Sequence, residues 1–149
     1  MNIFSIYSGK IREFLINLEK DKQIKLSDNL NNLTIELTPK DLQGDISCNA
    51  ALLLSKINNM ESKDIAKLLK TNLIKKFSEF KNIFIVEPGF LNIEFNENFW
   101  QKFLSNLLNL KEKYGSNFSE KNRYNIEFVS ANPTGPLHVG HCRGAVLGD

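Results

Sequence analysis

The amino-acid sequence predicts an α+β domain that is followed by the first strand and helix of a second domain. Three observations support this prediction. Apolar residues recur at helical spacing from Ile3 to Leu18, and two β-type runs flank the turn at Pro88 and Gly89. Near the end, an apolar run at residues 126–129 leads through a proline–glycine turn into a helix. Short strands between helices, without regular β–α alternation, are typical of a short antiparallel sheet with flanking helices.

The first third of the chain contains a long helix, two short strands and a second helix. The apolar positions of the first helix share one face: Ile3, Phe4, Ile6, Tyr7, Ile11, Phe14, Leu15 and Leu18. Residues 33–37 alternate between apolar and polar and end before Pro39, which favours a strand. A turn at residues 43–45 leads into a short strand at 46–48, and residues 49–57, rich in alanine and leucine, form a helix.

A third helix and a hairpin follow. Ser62 is a good N-cap for a helix whose apolar residues lie on one side. These are Ile65, Leu68, Leu69, Leu73, Ile74 and Phe77. Residues 83–87 and 91–95 are β-type runs, and the proline–glycine pair between them predicts a hairpin.

The domain organisation follows from these elements. A helix that begins at Asn96 or Asn98 and ends near Gly115 closes the first unit, residues 1–115. The polar residues 116–122 are expected to be a linker. The second unit, 123–149, holds a strand at residues 124–129, a loop and a helix, the first half of a βαβ unit.

Composition limits the class of protein. Hydrophobic residues make up 42% of the 149-residue chain and charged residues 24%, as in ordinary soluble domains, and the net charge of +2 permits RNA binding without arguing for it.

Cys48 and Cys142 are far apart, which favours a reducing compartment, and we expect a cytoplasmic protein. The N-terminal helix is amphipathic rather than a signal peptide, and no apolar stretch is long enough to span a bilayer.

The most informative segment runs from Asn132 to His141 and contains both histidines of the chain. A strand, a tight turn and a helix N-terminus direct backbone N–H groups and the helix dipole towards phosphate oxygens. His138 and His141 are three residues apart, so they share one helix face and can reach one ligand. Gly140 lies between them, where a side chain would prevent a flat base from resting on the backbone.

Other interpretations of this segment remain open at this stage. The two histidines and Cys142 form a possible metal clip, although three such close ligands are difficult to arrange around one tetrahedral zinc ion, and we expect no protein-bound metal. The histidines also suit a purely structural turn, or a nucleotide-binding turn of another protein class.

The residues around the histidines narrow these interpretations. Residues 126–145 resemble the first signature of class I aminoacyl-tRNA synthetases. The core His-Val-Gly-His fits several such enzymes and related nucleotidyltransferases. The preceding Glu-Phe-Val-Ser-Ala-Asn-Pro-Thr-Gly-Pro is similar to the arginine enzymes of bacterial type in particular. Residues 44–51 and 88–92 resemble stretches of the N-terminal domain of that family.

The resemblance implies an ATP-dependent arginine–tRNA ligase, in which Mg²⁺ enters with ATP. Its catalytic domain would be Rossmann-like, and only the first β–α element of that domain lies in this sequence, so the chain alone is expected to be inactive. His138 and His141 would be the catalytic residues and would bind the ATP phosphates, and Gly140 would lie against the adenine. A small nucleotidyltransferase and a stand-alone tRNA-binding module are the alternatives, and we expect a monomer.

The resemblance also implies contacts for the other two substrates. Glu127 would bind the arginine guanidinium, as a carboxylate suits a planar cation, and Ser130 and Asn132 would face the α-amino and carboxyl groups. Without the surrounding motif, Glu127 would be interpreted as an exposed strand residue. Phe90 and Asn92 would contact the D-loop of tRNA(Arg).

The residues around this tRNA contact support it only in part. On sequence alone, Phe90 more often belongs to a core, and Asn92 alternates with apolar neighbours and is expected to face solvent. Lys75, Lys76 and Lys81 are candidates for nearby phosphate contacts.

Overall fold

The structure is a computed structural model that describes residues 2–26, 30–115, 123, 125–132 and 134–148. The chain divides into two compact units, residues 1–115 and 116–149, and each is described by itself. The first is a small four-stranded antiparallel sheet with flanking helices, which confirms the predicted α+β class. None of the described helices is both long enough and apolar enough to cross a membrane.

The elements of the first unit lie close to their predicted positions. The helices are α1 (Ile3–Lys20), α2 (Ala50–Asn58), α3 (Ser62–Lys76) and α4 (Glu97–Leu110). The strands are β1 (Ile35–Leu37), β2 (Ile46–Cys48), β3 (Phe80–Val86) and β4 (Phe90–Phe95). A 3₁₀ turn at Leu30–Asn32 precedes β1, and another at Lys111–Lys113 follows α4.

The strands pair in the order β1-β2-β4-β3, and the two faces of the sheet carry different side chains. On the inner face, Ile46 of β2 pairs with Ile93 of β4, which in turn pairs with Ile83 of β3. All three are at most 1% exposed. Side chains alternate along a strand, so the next positions point outward. The outer row is Glu36, Ser47, Asn92 and Phe84, one residue from each strand.

The hydrophobic core lies between the inner face and the helices. Five residues of α1 are buried, as its spacing predicts: Tyr7, Ile11, Phe14, Leu15 and Leu18. From α3, Ile65, Leu69 and Leu73 join them, whereas Ile74 is 38% exposed. Each large apolar side chain that is fully buried contributes about 1.5–3 kcal/mol to folding.

The start of α3 differs from the prediction. Ser62 is the first residue of the helix and not its cap; the cap position belongs to Glu61, whose side chain makes no capping hydrogen bond. The Ser62 hydroxyl instead donates to the carbonyl oxygen of Pro88, in the β3–β4 turn. Gly89 is buried in this contact, since a Cβ atom there would lie 2.8 Å from the Cβ atom of Ser62. The serine therefore joins the helix to the hairpin.

The helix α4 begins where the sequence predicts and ends earlier than predicted. Asn96, one of the two expected N-caps, accepts a hydrogen bond from the backbone N–H of Phe99. The helix ends at Leu110 rather than near Gly115, because Lys111 adopts a positive φ of 47° that interrupts it.

The second unit contains one described helix, α5 (Val139–Gly148). The prediction of a strand before the turn is wrong for residues 125–129, which are not in a strand. A strand is held by hydrogen bonds to a neighbouring strand, and no described residue pairs with this segment. The ring of Phe128 instead lies against Gly148 of α5. The predicted linker at 116–122 and the predicted strand residue Tyr124 lie outside the described residues.

A polar cluster connects α1 with the start of β3. The carboxylate of Glu79 accepts hydrogen bonds from the Tyr7 hydroxyl at 3.0 Å and from the Lys10 ammonium at 2.9 Å. Burial and the neighbouring carboxylate raise the pKa of Tyr7. Burial alone would raise the pKa of Glu79 as well, but the hydrogen bonds from Lys10 and Tyr7 outweigh it, so the pKa lies below its ordinary value of 4.5.

This cluster predicts an acid-sensitive contribution to stability. The lowered pKa of Glu79 means that its ionised form stabilises the folded state above pH 4.5, and that this contribution disappears as the pH falls through the folded pKa. Glu79→Gln should lower the free energy of unfolding at neutral pH by about 1–2 kcal/mol and flatten its decline in acid. Urea unfolding between about pH 3 and pH 7 measures both effects. Glu13→Gln, an exposed carboxylate on α1, is the control, and equal pH profiles for the two variants would contradict this role of Glu79.

Candidate functional site

A cavity of about 300 Å³ lies over the outer face of the sheet. The residues 38–45, between β1 and β2, fold across this face, and Leu42 from that loop lines one side. Six of the lining residues define the cavity: Glu36, Leu42, Ser47, Glu87, Phe90 and Asn92. We call it the outer-face cavity.

Asn92 is the unusual residue of the outer-face cavity. Its side chain is only 1% exposed, so the expectation that it faces solvent is wrong. The loop covers it: a Cβ atom on Gly44, which has a φ of +112°, would lie 3.0 Å from the Cβ atom of Asn92. The Asn92 amide nitrogen has no hydrogen-bond partner among the described residues. A buried donor without a partner costs about 1–3 kcal/mol, so such a group in a native protein requires an explanation, and binding of a ligand is one.

Phe90 and two carboxylates determine which ligands suit this cavity. Phe90 is half-buried at the start of β4 and lines the cavity on the outer face, so it is not a core residue. Glu36 and Glu87 also line the cavity, are exposed, and form no ion pair with any described residue. An apolar, aromatic wall with negative charge at its opening favours a flat, uncharged group over a phosphate.

The lysines that were expected near Phe90 lie at the other end of the unit. The start of α3 contacts the hairpin turn, and Lys75 and Lys76 are in its last turn, about 20 Å away at 1.5 Å per residue. Lys81 is at the start of β3, the far end of the hairpin, and forms a 2.6 Å ion pair with Glu94. Hydrophobic spacing predicts where each helix and strand lies in the sequence, but not which of their ends lie together in the fold. The predicted position of these lysines beside Phe90 was wrong for this reason.

The sequence did not identify the loop side of the outer-face cavity. Glu36, Leu42 and Ser47 come from separate segments that only the pairing of β1, β2 and β4 brings together. A signal was present in Gly44, because an isolated glycine beside a strand often marks a close approach of backbone to a side chain.

The histidine segment forms the start of α5 in the second unit. The two imidazole rings stack, with centroids 3.8 Å apart, as their spacing of three residues allows. The backbone N–H of Gly140 donates to Nδ1 of His138, and the backbone N–H of His138 donates to Nδ1 of His141. Because both Nδ1 atoms accept, the proton of each neutral ring resides on Nε2, which is then available to donate to a ligand.

Gly140 has a local role in this arrangement. A Cβ atom at this position would lie 3.0 Å from Cε1 and 3.1 Å from Nδ1 of His138. Glycine therefore permits the His138 ring to fold back over the first turn of the helix. The described residues contain no group of three or more histidine, cysteine, aspartate or glutamate side chains that could hold a metal ion.

The three residues expected to contact arginine precede this helix. Glu127, Ser130 and Asn132 are all exposed and lie in a segment without regular secondary structure. The carbonyl oxygen of Asn132 accepts a 2.8 Å hydrogen bond from the backbone N–H of Thr134, which begins the turn towards the histidines.

Comparison with known proteins adds an independent finding. A family model described as "Arginyl tRNA synthetase N terminal domain" matches residues 7–95. The arginine–tRNA ligase of Pelagibacter ubique is 43% identical over 150 residues, which cover all of this chain and 26% of that protein. The ligase of Rhizobium etli is 37% identical with the same coverage, and that of Lawsonia intracellularis is 42% identical over 77% of this chain and 21% of its own length. The chain thus spans about a quarter of the length of these relatives.

The histidine geometry predicts a specific tautomer. In the neutral state, both rings should carry the proton on Nε2, which long-range ¹H–¹⁵N correlation spectra measure directly. Gly140→Ala should disturb the His138 ring, because the added methyl group meets it at 3.0 Å, and should change the nitrogen shifts of that ring. Gly135→Ala is the matched control, since an added Cβ atom there has no neighbour within 4 Å. A proton on Nδ1 of His138 in the wild-type protein would contradict this geometry.

Proposed function

Because the chain belongs to the family of arginyl-tRNA synthetase N-terminal domains, we propose that it is the N-terminal part of an arginine–tRNA ligase. The observation that carries the proposal is the similarity to these ligases along the whole chain, including the histidine segment. In the cytoplasm, the ligase would join arginine to the AMP part of Mg-ATP with release of pyrophosphate, and would then transfer the arginine to tRNA(Arg) with release of AMP. Residues 1–115 would be the tRNA-binding domain, and 123–149 would begin a Rossmann-like class I catalytic domain.

In this proposal the outer-face cavity receives an unpaired base of the tRNA D-loop. Phe90 provides the aromatic surface on which a base stacks, and the unpaired amide of Asn92 donates to an acceptor on the base edge. The carboxylates of Glu36 and Glu87 are placed to accept from the N–H groups of the base and to repel its phosphate. The cavity would therefore contribute to the choice of base rather than to general RNA affinity.

The histidine segment would bind the ATP phosphates. Two Nε2–H donors at a helix N-terminus suit the charge that develops as the carboxylate of arginine attacks the α-phosphate. In this scheme His138 and His141 stabilise the transition state, while Gly140 leaves space for the adenine beside the backbone. Mg²⁺ would enter with ATP and neutralise its remaining phosphate charge.

The exposed residues before the turn would select arginine. The Glu127 carboxylate would pair with the guanidinium, and Ser130 and Asn132 would hydrogen-bond the α-amino and carboxyl groups. These three side chains are open to solvent here, and a complete doubly wound sheet is needed to enclose them. The chain alone is accordingly expected to be inactive in aminoacylation.

The cavity proposal makes a prediction that separates binding from stability. Asn92→Leu removes an unpaired buried amide, so the free energy of unfolding should not fall, whereas the affinity for tRNA(Arg) should fall about tenfold with the lost hydrogen bond. Phe90→Leu should weaken binding by about 1–3 kcal/mol through the loss of stacking. Fluorescence titration at one fixed salt concentration and urea unfolding measure the two quantities.

The control for these variants is Phe84→Leu. Phe84 lies beside Asn92 on the outer row but does not line the cavity, so its replacement should leave the affinity for tRNA unchanged. Wild-type affinity in both Asn92→Leu and Phe90→Leu would disprove the base contact.

A further prediction concerns the complete ligase. It distinguishes the residue proposed to bind arginine from the histidines proposed to act on ATP. Glu127→Gln should lower kcat/KM for arginine about tenfold or more, through the loss of a charged hydrogen bond, and leave the KM for ATP nearly unchanged. His138→Ala and His141→Ala should lower the rate of adenylate formation by about 10²–10³, with a smaller effect on ATP binding. Single-turnover adenylate formation and arginine-dependent ATP–pyrophosphate exchange distinguish the two patterns. Unchanged arginine use in the first variant, or unchanged rates in the histidine variants, would remove these residues from the proposed site.

A further inference from the structure

The helix α4 carries an apolar face that the first unit covers only in part. None of its fourteen residues is buried. The exposed fractions are 38% for Trp100, 55% for Leu104 and 62% for Leu108. The complete set of apolar residues in the helix is Phe99, Trp100, Phe103, Leu104, Leu107, Leu108 and Leu110. Contiguous apolar surface of this kind on a domain marks an interaction site.

Within the part of the chain that the structure describes, the ring contacts between α4 and the sheet come from the first turn of the helix. Phe99 stacks on Phe95 at a centroid distance of 4.1 Å, and the ring of Trp100 meets the same side chain edge-on at 5.7 Å. Phe103, one turn later, has ring contacts only with Phe99 and Trp100 of its own helix, among the described residues. A helix of this length is stabilised mainly by the packing of its apolar face, and the described residues leave Leu104 and Leu108 of that face mostly exposed.

We propose that Phe103, Leu104, Leu107 and Leu108, here called the α4 face, form an intramolecular docking surface that the catalytic part of the same ligase polypeptide covers. This inference rests on the proposed function, in which the ligase has the length of the relatives and this chain supplies about a quarter of it. The occupant is then a surface of the catalytic domain beyond residue 149, with apolar side chains that complement the leucines.

The size of the α4 face favours an occupant on the same chain. Fourteen residues at 1.5 Å each give a helix about 21 Å long and about 10 Å wide, hence a footprint of a few hundred Å². Stable association of separate proteins buries about 800 Å² on each partner, which exceeds this footprint. A tethered partner needs less contact area, because the connection raises its effective concentration to the millimolar range.

The polar side of α4 argues against a membrane as the occupant. It carries the uncharged residues Ser105, Asn106 and Asn109, and Lys102 is the single basic residue of the helix. Helices that lie on membrane surfaces have several lysines or arginines on this side, because these bind anionic headgroups. The composition of α4 therefore suits a protein surface better than a lipid surface.

Cysteine protection in the complete ligase tests the proposal. Leu104→Cys and Leu108→Cys are introduced one at a time together with Cys142→Ser, which removes an exposed thiol. Cys48 is buried, and burial raises its pKa to about 12, so it does not compete for reagent. Asn106→Cys and Asn109→Cys, exposed positions on the opposite side of the same helix, are the matched controls. Maleimide labelling is followed at each site by peptide mass mapping, and circular dichroism verifies that every variant is folded.

The expected result is a contrast between two proteins. In the chain of residues 1–149, all four cysteines should react at similar rates, since all four positions are exposed. In the complete ligase, the cysteines at 104 and 108 should react at least about tenfold more slowly than the controls, because labelling then requires local opening of the interface.

Three outcomes would overturn the proposal or its premise. An active ligase whose cysteines at 104 and 108 react as fast as the controls would disprove the docking surface and leave the proposed function intact. A complete protein that does not attach arginine to tRNA(Arg) in the presence of Mg-ATP would disprove the proposed function, whatever its labelling pattern. Sedimentation of the 1–149 chain as a dimer, with the two cysteines already protected, would identify a second copy as the occupant and overturn the intramolecular assignment.

Discussion

The antiparallel pairing of β2 with β4 is the constraint on which the first unit depends. With Ile46 opposite Ile93, the apolar side chains of both strands meet the helices, and Ser47 and Asn92 are directed to the other side. A shift of one residue would reverse every side chain of the strand, expose the isoleucines and bury the polar row in the core. The same register therefore creates both the hydrophobic core and the floor of the outer-face cavity.

The two candidate sites differ in charge and in exposure, and each suits a different kind of ligand. The outer-face cavity has an aromatic wall, an unpaired buried amide and carboxylates at its opening, which suit the edge of an uncharged base. The histidine segment is open and presents N–H donors at a helix N-terminus, which suits phosphate. In the proposed ligase, the first unit would recognise the RNA and the second would take part in the chemistry.

Local patterns were sufficient to predict most elements of the first unit. The apolar spacing of α1, the Pro88–Gly89 hairpin and the Asn96 cap depend on residues close in sequence, and the structure contains all three. The burial of Asn92 was not predictable, because it depends on a loop that returns across the sheet from a distant part of the chain. The strand expected before the histidines failed for a related reason, since the pattern of one strand does not supply its partner. Roles for Glu127, Ser130 and the histidines came from resemblance, and they remain proposals.

The contact between Gly44 and Asn92 has a consequence for how this domain can change over time. A Cβ atom on residue 44 would press on the Cβ atom and backbone of residue 92, and the positive φ at 44 opposes any L side chain. The two positions are thus not free to vary separately: the loop can accept a larger residue only if the strand beneath it moves. During evolution, the binding preference of the cavity is therefore expected to change through residues at its opening, such as Glu36 and Glu87. Gly44 and the loop backbone are expected to be retained.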